Sequence, residues 1–372
     1  MSKTAIVIGS GIIGIATAYT LLQKGFHVTV LEKNMQPVGA SIRNFGMIWP
    51  IGQPSGEKYQ LALRSKEIWN LLSKEAGFEL QKNGSLFLAY HQDEKNVLLE
   101  FIEKNHVGRN IQWLTPMEVR TKSEPVNPEG LLGGMHSPEE CLVDPRDAIY
   151  KLIQWLQSLP NCAFHFNSPV HTIQDNICIG PTGSWQADKI FICSGSDIAM
   201  LCPGILEQFG MLCELQMMRT GIQPDGFKLG PSLCGGLTLS HYPAFKEMKS
   251  LGTLLERFQY DYPDLLKHGI HVMAAQYESG EVTLGDSHEY GLHFDPFIIQ
   301  SINDKILNYL RTFCKLADER IQSNWKGTYF KLKGIDPYLI HPINEYTTLH
   351  NGFGGLGMTL SFGVMEKELA KI

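Results

Sequence analysis

The hydrophobic pattern of the chain opens on a short β-branched run, Thr4–Ile8 (TAIVI), which is typical of a buried parallel strand. Residues 12–24 then place apolar side chains at helical spacing, and Gly25 follows as a C-cap. The next apolar run, His27–Leu31 (HVTVL), predicts a second strand that ends at Glu32. Together these segments predict a complete βαβ unit.

The turn between the first strand and the helix reads GSGIIG, residues 9–14. Gly9 allows a tight turn, Gly11 lets the backbone approach a pyrophosphate, and Gly14 lets the helix pack close to the strand. The helix N-terminus offers unpaired N–H groups and a partial positive charge to that pyrophosphate. Glu32, eighteen residues after Gly14, can accept hydrogen bonds from a ribose and disfavours the 2′-phosphate of NADP. The unit therefore predicts dinucleotide binding and leaves NAD and FAD open.

The middle of the chain has a different hydrophobic pattern. Its segments either alternate apolar and polar residues or are rich in β-forming residues, and turn residues separate them. They predict an antiparallel sheet, and its strands are expected at residues 84–90, 212–222, 271–277 and 281–285. Helical patterns at residues 57–76 and 296–317 are expected to connect the layers.

Length and composition limit the functions that the chain can have. Its 372 residues are many for one core, so two domains are predicted. Hydrophobic residues make up 43% and charged residues 19%, which favours a globular protein over a disordered one. A net charge of −6 gives no electrostatic footprint for nucleic acid or an anionic membrane. The apolar stretches are shorter than the roughly 18 residues that span a bilayer, and we see no secretory signal, so a cytoplasmic location is expected.

The cysteines are scattered, without a CxxC or a Cys/His ligand spacing. They are expected to be free thiols in a reducing compartment, and no metal site is predicted. The eight positions are Cys141, Cys162, Cys178, Cys193, Cys202, Cys213, Cys234 and Cys314.

Residues 39–53 (GASIRNFGMIWPIGQ) form an irregular stretch rich in small and polar side chains. Following a ribose-binding acid, this stretch resembles the flavin-wrapping loop of the D-amino-acid oxidase, glycine oxidase and sarcosine oxidase superfamily. The resemblance implies that Ala40 and Ser41 contact the phosphate and ribityl region. It also implies that the flavin ring is lined by Asn44, Phe45, Gly46 and Met47.

Three later segments continue the resemblance. Residues 163–173 are similar to the strand whose backbone, at Val170, pairs with the adenine. Residues 187–196 are similar to the hydrophobic strand that ends in a glycine turn, at Gly195, beside the FAD. Residues 143–146 (VDPR) resemble the start of the helix between the substrate segment and the FAD domain.

The C-terminal segment separates FAD from NAD. Residues 347–363 (TTLHNGFGGLGMTLSFG) resemble the glycine-rich turn that precedes the last helix in the superfamily. The N-terminus of that helix faces the flavin pyrimidine. Sarcosine oxidase holds its flavin through a cysteine, but no cysteine follows Cys314, so non-covalent FAD is expected. The predicted cofactor-binding residues are Gly9, Gly11, Ile12, Ile13, Gly14, Glu32, Lys33, Ala40, Ser41, Arg43, Asn44, Phe45, Gly46, Val170, Ser194, Gly195, Gly355, Leu356, Gly357, Met358 and Thr359.

The resemblance implies an α/β fold with two domains. A discontinuous, Rossmann-like FAD-binding domain would comprise residues 1–83, 143–210 and 334–372. A substrate domain, a mostly antiparallel β-sheet plus helices, would comprise residues 84–142 and 211–333. The string GDSHEYG superficially resembles a motif of flavin aromatic hydroxylases, but the proline and glycine-rich helix start that follow it there are missing. Aromatic hydroxylation is therefore disfavoured.

The substrate segment departs from the better-known relatives, which anchor a carboxylate with arginine on a late strand. In WKGTYF, Tyr329 stands at that position. RNFGMIWPIGQ, GDSHEYG, WKGTYF and GMTLSFG together resemble the branch proposed to oxidise aminophosphonates. A phosphonate needs basic or hydroxyl donors. Candidate residues of the substrate site are Arg43, Met47, Arg219, His241, Tyr242, His288, Tyr329 and Lys331.

The leading hypothesis is oxidation of the C–N bond of a small amine, related to 2-aminoethylphosphonate, by hydride transfer to flavin N5. Dioxygen or another acceptor would reoxidise the FAD. One alternative is a glycine, sarcosine or D-amino acid oxidase or dehydrogenase with a different carboxylate anchor. Another is a non-catalytic flavoprotein.

Overall fold

The computed structural model of the chain describes residues 3–334 and 336–372. Its strands, in chain order, are β1 (Thr4–Ile8), β2 (His27–Leu31), β3 (Met47–Ile48), β4 (Ser85–Ala89), β5 (Gln112–Leu114), β6 (Gly133–Ser137), β7 (Cys141–Leu142), β8 (Cys162–His165), β9 (Thr172–Gln174), β10 (Ile177–Gly180), β11 (Gly183–Gln186), β12 (Lys189–Ile192), β13 (Gly210–Ile222), β14 (Ser232–Cys234), β15 (Met273–Gln276), β16 (Glu281–Gly285), β17 (Glu289–Gly291), β18 (Ile321–Leu332), β19 (Leu339–Pro342) and β20 (Thr347–Asn351).

The α-helices lie between these strands and after the last of them. They are α1 (Ile12–Gln23), α2 (Glu57–Ala76), α3 (Gln92–Asn105), α4 (Pro116–Lys122), α5 (Pro145–Gln157), α6 (Ile205–Phe209), α7 (Thr238–His241), α8 (Leu251–Asp261), α9 (Pro263–Lys267), α10 (Gln300–Phe313) and α11 (Gly357–Glu368).

The first sheet has the strand order β19-β20-β12-β1-β2-β8, and only the β19–β20 pairing is antiparallel. Strand β1 lies at its centre and alternates between two cores. Ala5 and Val7 face helices α1, α2, α5 and α11, whereas Ile6 and Ile8 face the small sheet of β9, β10 and β11. Burial on both faces is the reason that the strand is continuously apolar. The predicted βαβ unit is confirmed, but α1 ends at Gln23 with Lys24 as its C-cap, one residue before the predicted Gly25, whose φ is 78°.

The second sheet runs β17-β13-β16-β15-β14-β4-β6-β5, with β18 also paired to β13. Its pairings are antiparallel except that of β4 with β14. The predicted antiparallel sheet is therefore confirmed; β16 has the predicted bounds, and β4, β13 and β15 differ from theirs by one or two residues. The second helical pattern is confirmed in its centre, as α10. The bounds of the two domains stay a prediction.

One predicted strand, residues 163–173, is wrong. Strand β8 ends at His165, and the chain turns at Asn167, whose φ is 51°. It resumes at Thr172 as β9, in a different sheet. Asparagine tolerates this left-handed conformation, and Pro169 has no N–H to donate to a sheet.

Among the described residues, no helix combines the length and the apolar character that crossing a bilayer requires.

Candidate active site

A cavity of about 1060 Å³ extends from the carboxyl ends of β1 and β2 to the second sheet. Its walls come from the loop of residues 37–58, the turn before α11 and strands β13, β15 and β18. Pockets for drug-sized ligands reach up to roughly 1000 Å³, so this cavity can accept a dinucleotide and a small substrate.

The glycines of GSGIIG are required by close backbone contacts. A Cβ at Gly9, whose φ is 102°, would lie 2.6 Å from the carbonyl oxygen of Cys193. A Cβ at Gly14 would lie 1.9 Å from the carbonyl oxygen of Gly9. Gly9 and Gly11 line the cavity, as do Ile12 and Ile13, but Gly14 does not. Its role is to allow the close approach of α1 to β1.

The loop after β2 closes over the first turn of α1. The N–H of Ile12 donates to Ser41 Oγ at 2.8 Å, so Ser41 stands at the helix N-terminus. The Asn44 carboxamide donates to the carbonyl oxygens of Ala40 and Ser41 and accepts from the Gly46 N–H, at 2.9, 3.0 and 2.6 Å. Asn44 therefore fixes the shape of this loop. Ala40, Ser41 and Asn44 line the cavity.

Gly46 is not among the residues that line the cavity, in contrast to its predicted contact with the flavin ring. Its φ is 76°, and a Cβ there would lie 1.8 Å from the carbonyl oxygen of Val143. The backbone therefore turns away from the cavity at this point. Phe45 and Met47, on either side of it, do line the cavity.

The predicted ribose-binding acid is held in place. Glu32 Oε2 accepts from the N–H and Oγ of Ser10 at 3.0 and 2.8 Å, and Oε1 accepts from the Asn34 N–H at 3.0 Å. The buried carboxylate lines the cavity beside Lys33, whose Nζ lies 2.5 Å from Asp197 Oδ2.

The far wall of the cavity at this end is formed by Val170, Ser194 and Gly195. Within the described residues, the backbone of Val170 makes no hydrogen bond. In the same part of the chain, the buried Ser194 Oγ has no hydrogen-bond partner. Such groups fit the polar edge of a bound nucleotide, because a buried polar group without a partner is costly.

The C-terminal turn forms the opposite wall, and α11 begins at Gly357 with its first N–H groups at the cavity. The Trp69 Nε1–H donates to the Met358 carbonyl at 2.8 Å, and the Trp49 N–H donates to Thr359 Oγ1 at 3.0 Å. All five residues predicted here line the cavity: Gly355, Leu356, Gly357, Met358 and Thr359.

These groups fit an FAD. The glycine turn allows a close approach of the backbone, Ser194 at one end of the cavity has a side-chain oxygen without a hydrogen-bond partner, and the N-terminus of α11 lies at the opposite wall. Cys193 is the one cysteine among the described lining residues, and it lies at the glycine turn. Burial raises the pKa of its thiol to about 12. A covalent flavin link through that thiol is disfavoured, because the thiolate is the nucleophile.

Three histidines meet at the end of the cavity that the second sheet forms. They are His241, at the end of α7, His271, just before β15, and His288, between β16 and β17. Their ring centroids are 3.8, 4.7 and 5.1 Å apart. His241 and His288 were predicted for the substrate site, but His271 was missed. It lies 30 residues from one and 17 from the other, and no ligand spacing marks it.

A carboxyl group accompanies the histidines. Asp286 Oδ1 lies 3.2 Å from His271 Nε2, and Oδ2 lies 3.8 Å from His288 Nε2. Burial lowers the pKa of all three imidazoles, that of His288 to about 4, and raises the pKa of Asp286 well above its usual range. The imidazoles are therefore neutral at physiological pH.

Tyr329 joins the histidine end to the C-terminal turn. Its Oη lies 3.7 Å from where a Cβ would stand at Gly355. Lys331 lines the cavity nearby, and its Nζ donates to Tyr290 Oη at 3.0 Å. Burial lowers the pKa of Lys331 and raises that of Tyr329. The buried side chains of Tyr242 and Met47 also belong to the cavity wall.

The two predicted arginines are not equivalent. Arg219 is not part of the cavity wall, which corrects its predicted role. Its guanidinium donates to Thr283 Oγ1 at 3.1 Å and lies over the rings of Tyr277 and Trp325. Arg43 lines the cavity and donates to a backbone carbonyl at 3.0 Å.

A family model described as FAD dependent oxidoreductase (DAO) matches residues 4–370. A glycine oxidase from Geobacillus kaustophilus is 25% identical over 207 residues, which cover 52% of this chain and 55% of that protein. The chain thus spans about half the length of the curated relatives it matches.

Solved structures extend the similarity to the whole chain. Glycine oxidase from Geobacillus kaustophilus, 18% identical, superposes with a TM-score of 0.76 over 100% of this chain and 95% of that one. The FAD-bound L-α-glycerophosphate oxidase from Mycoplasma pneumoniae, 19% identical, gives a TM-score of 0.77 over the same shares. The predicted fold class is confirmed.

Proposed function

Since the chain belongs to the DAO family of FAD-dependent oxidoreductases, we propose that it oxidises the C–N bond of a small amine that carries an acidic group. The proposed substrate class is aminophosphonates related to 2-aminoethylphosphonate. The supporting observation is the composition of the histidine end, which has imidazole and phenol groups, Asp286 and Lys331, with Tyr329 where an arginine was expected. Arg43 is the one arginine among the described lining residues, and its Nη1 donates to the Lys326 carbonyl oxygen.

The proposed roles of the chain's residues follow from their positions. The glycine turn, Ser41 and Glu32 would hold the FAD, which supplies a two-electron acceptor when bound. The N-terminus of α11 would favour negative charge near its first turn. The space between this turn and the histidines is lined by apolar side chains of β13 and β15, namely Leu215, Met217 and Met273. They would exclude water from the reacting amine.

Dispersed donors suit a tetrahedral head group better than a planar carboxylate, which is best bound by a forked guanidinium. Tyr329, with its Oη at the junction of the two ends, is proposed to contact the substrate. A second candidate function is oxidation of glycine, sarcosine or a D-amino acid, and the similarity to glycine oxidases favours it.

Anaerobic mixing of the purified holoprotein with glycine, sarcosine, D-alanine, 2-aminoethylphosphonate and N-methyl-2-aminoethylphosphonate separates these candidates. We expect the flavin absorption band to bleach faster with the phosphonates. Fast bleaching by glycine or D-alanine with none by the phosphonates would overturn the substrate class. The absence of bleaching with every amine would favour a non-catalytic flavoprotein.

A matched pair of variants tests the role of Tyr329. Tyr329→Phe should raise the KM of the best substrate while FAD stays bound. Tyr309→Phe is the control, because Tyr309 is a buried tyrosine outside the cavity lining. Equal KM values for Tyr329→Phe and the wild type would overturn this role.

A further inference from the structure

We propose that His241, His271 and His288 form a binding site for a divalent transition-metal cation at the substrate end of the cavity. Each side chain offers one ring nitrogen, and the three nitrogens all lie within 4.8 Å of one another. All three rings line the cavity, so a bound ion would keep an open side. Catalytic zinc sites have three protein ligands and an open position, and in one class of them all three ligands are histidines.

The hydrogen bond of His288 fixes the proton on Nδ1 and leaves Nε2 free to bind a cation. Its Nδ1 lies 3.2 Å from the Gly269 carbonyl oxygen, which can only accept, so Nδ1 carries the proton. In the neutral ring Nε2 then has an unshared pair, and this nitrogen is the one 3.8 Å from Asp286 Oδ2. Metal-binding histidines commonly donate their other N–H to a backbone carbonyl in this way.

His271 supplies an independent sign that a ligand belongs here. Both of its ring nitrogens are buried and, within the described residues, lack a hydrogen-bond partner. Asp286 Oδ1 also lacks one, although it lies 3.2 Å from His271 Nε2, so the contact is not aligned as a hydrogen bond. A buried polar group without a partner is unfavourable, and a cation bound to one ring nitrogen of His271 would satisfy that nitrogen.

The donor types select the class of ion. Imidazole nitrogens suit zinc, copper, nickel and iron, whereas magnesium and calcium prefer an all-oxygen set. Zn–N bonds of about 2.0–2.1 Å place tetrahedral ligands about 3.4 Å apart, so binding would draw the rings together. The carboxylate of Asp286, next to two of the rings, would balance the charge of the ion.

The cation would also add positive charge at the end of the cavity where the acidic group of the amine is proposed to bind. On the proposed function, on which this step rests, the ion supplies the positive charge that an arginine provides elsewhere in the superfamily. Its open side would face the acidic group of the amine.

The test uses the untagged, FAD-loaded protein after treatment with a chelator and removal of that chelator. Titration calorimetry with Zn²⁺, and visible absorption with Co²⁺, should show one ion per chain. His271→Ala and His288→Ala should lower the affinity at least 100-fold, as should the milder His271→Gln. His136→Ala should bind like the wild type, because His136 is equally buried and lies outside the cavity lining.

Flavin content and melting temperature establish that each variant is folded. A wild-type protein that takes up no stoichiometric ion, or folded variants that bind it as well as the wild type, would overturn the site. Binding is measured without any amine, so failure of this proposal is distinguishable from failure of the flavin-reduction assay.

Discussion

The backbone N–H of Trp49 donates a hydrogen bond of 3.0 Å to the side-chain hydroxyl of Thr359, which lies 310 residues further along the chain. Trp49 follows the loop that closes over α1, and Thr359 is in the first turn of α11. Both residues are buried. The two ends of the chain are thereby joined at the wall of the same cavity.

Thr359→Val should destabilise the holoprotein, because it leaves the Trp49 N–H buried without an acceptor at a cost of about 1–3 kcal/mol. The melting temperature should fall, and FAD should dissociate more readily. Thr359→Ser keeps the hydroxyl and should behave nearly like the wild type. Equal melting temperatures for the valine and serine variants would show that the bond contributes nothing.

Glu32→Ala should weaken FAD binding by about 5- to 150-fold, the equivalent of the 1–3 kcal/mol that a lost hydrogen-bond acceptor typically costs. Equilibrium quenching of flavin fluorescence measures the dissociation constant. The control is Asp188→Ala, since Asp188 accepts from Thr4 at 2.8 Å on the same sheet but outside the cavity lining. If both variants bind FAD equally well, Glu32 does not hold the ribose.

Gly14→Ala should prevent normal FAD loading, because its Cβ would stand 1.9 Å from the Gly9 carbonyl oxygen. Helix α1 would have to move away from β1, at a cost of about 1–3 kcal/mol or more. The flavin-to-protein absorbance ratio reports the loss. Gly252→Ala, in α8 with nothing within 4 Å of the new Cβ, should raise the melting temperature slightly. A fully FAD-loaded Gly14→Ala protein would contradict the packing role of this glycine.

Because of Glu140, the free energy of unfolding should fall as the pH rises from about 4.5 to about 7. Glu140 is fully buried and accepts hydrogen bonds from the Ile51 N–H and Ser85 Oγ, both at 3.0 Å. Burial raises its pKa to about 7. Since the folded pKa exceeds the unfolded one, this contribution to stability is complete below about pH 4.5 and is lost as the pH rises through about 7.

The comparison of wild type with Glu140→Gln between about pH 4.5 and 7.5 isolates this effect, worth up to about 3 kcal/mol. The melting temperature of the variant should fall less across this range. Burial lowers the pKa of His350 to about 3, which gives a slope of opposite sign below pH 6.5, but that slope is common to both proteins and cancels. If the melting temperatures of the two proteins change with pH in parallel, the shifted pKa of Glu140 is contradicted.

Acid precipitation of the holoprotein should release intact FAD into the supernatant. The expectation of a non-covalent cofactor rests on the lack of a cysteine after Cys314 in the sequence and on the raised pKa of Cys193, the one cysteine among the described lining residues. Chromatography and mass spectrometry of the supernatant identify the flavin. A pellet that stays yellow after washing would establish a covalent link.

Local signals were enough to predict the βαβ unit of the cofactor half. The strands Thr4–Ile8 and His27–Leu31 were predicted with the bounds that the structure has. The glycine turn and Glu32 were readable as well, because each belongs to a motif within about thirty residues. The segment around Val170 shows the limit of such reading. Its apolar residues suggest one strand, but Asn167 and Pro169 divide it between two sheets.

The substrate half depended on contacts between distant segments. Leu215 and Met217 of β13 line the cavity, but Arg219, two residues further along the same strand, lies outside the lining. His271 joins His241 and His288 only because three separate elements meet at one end of the second sheet.

The sequence by itself determined the βαβ unit with its glycine turn, because those signals are periodic or contiguous, and its resemblance to a known superfamily supplied the FAD-binding class of the fold. Only the tertiary structure decided which polar side chains share the substrate end. Strand pairing and register act between residues far apart in the chain, and no local pattern records them.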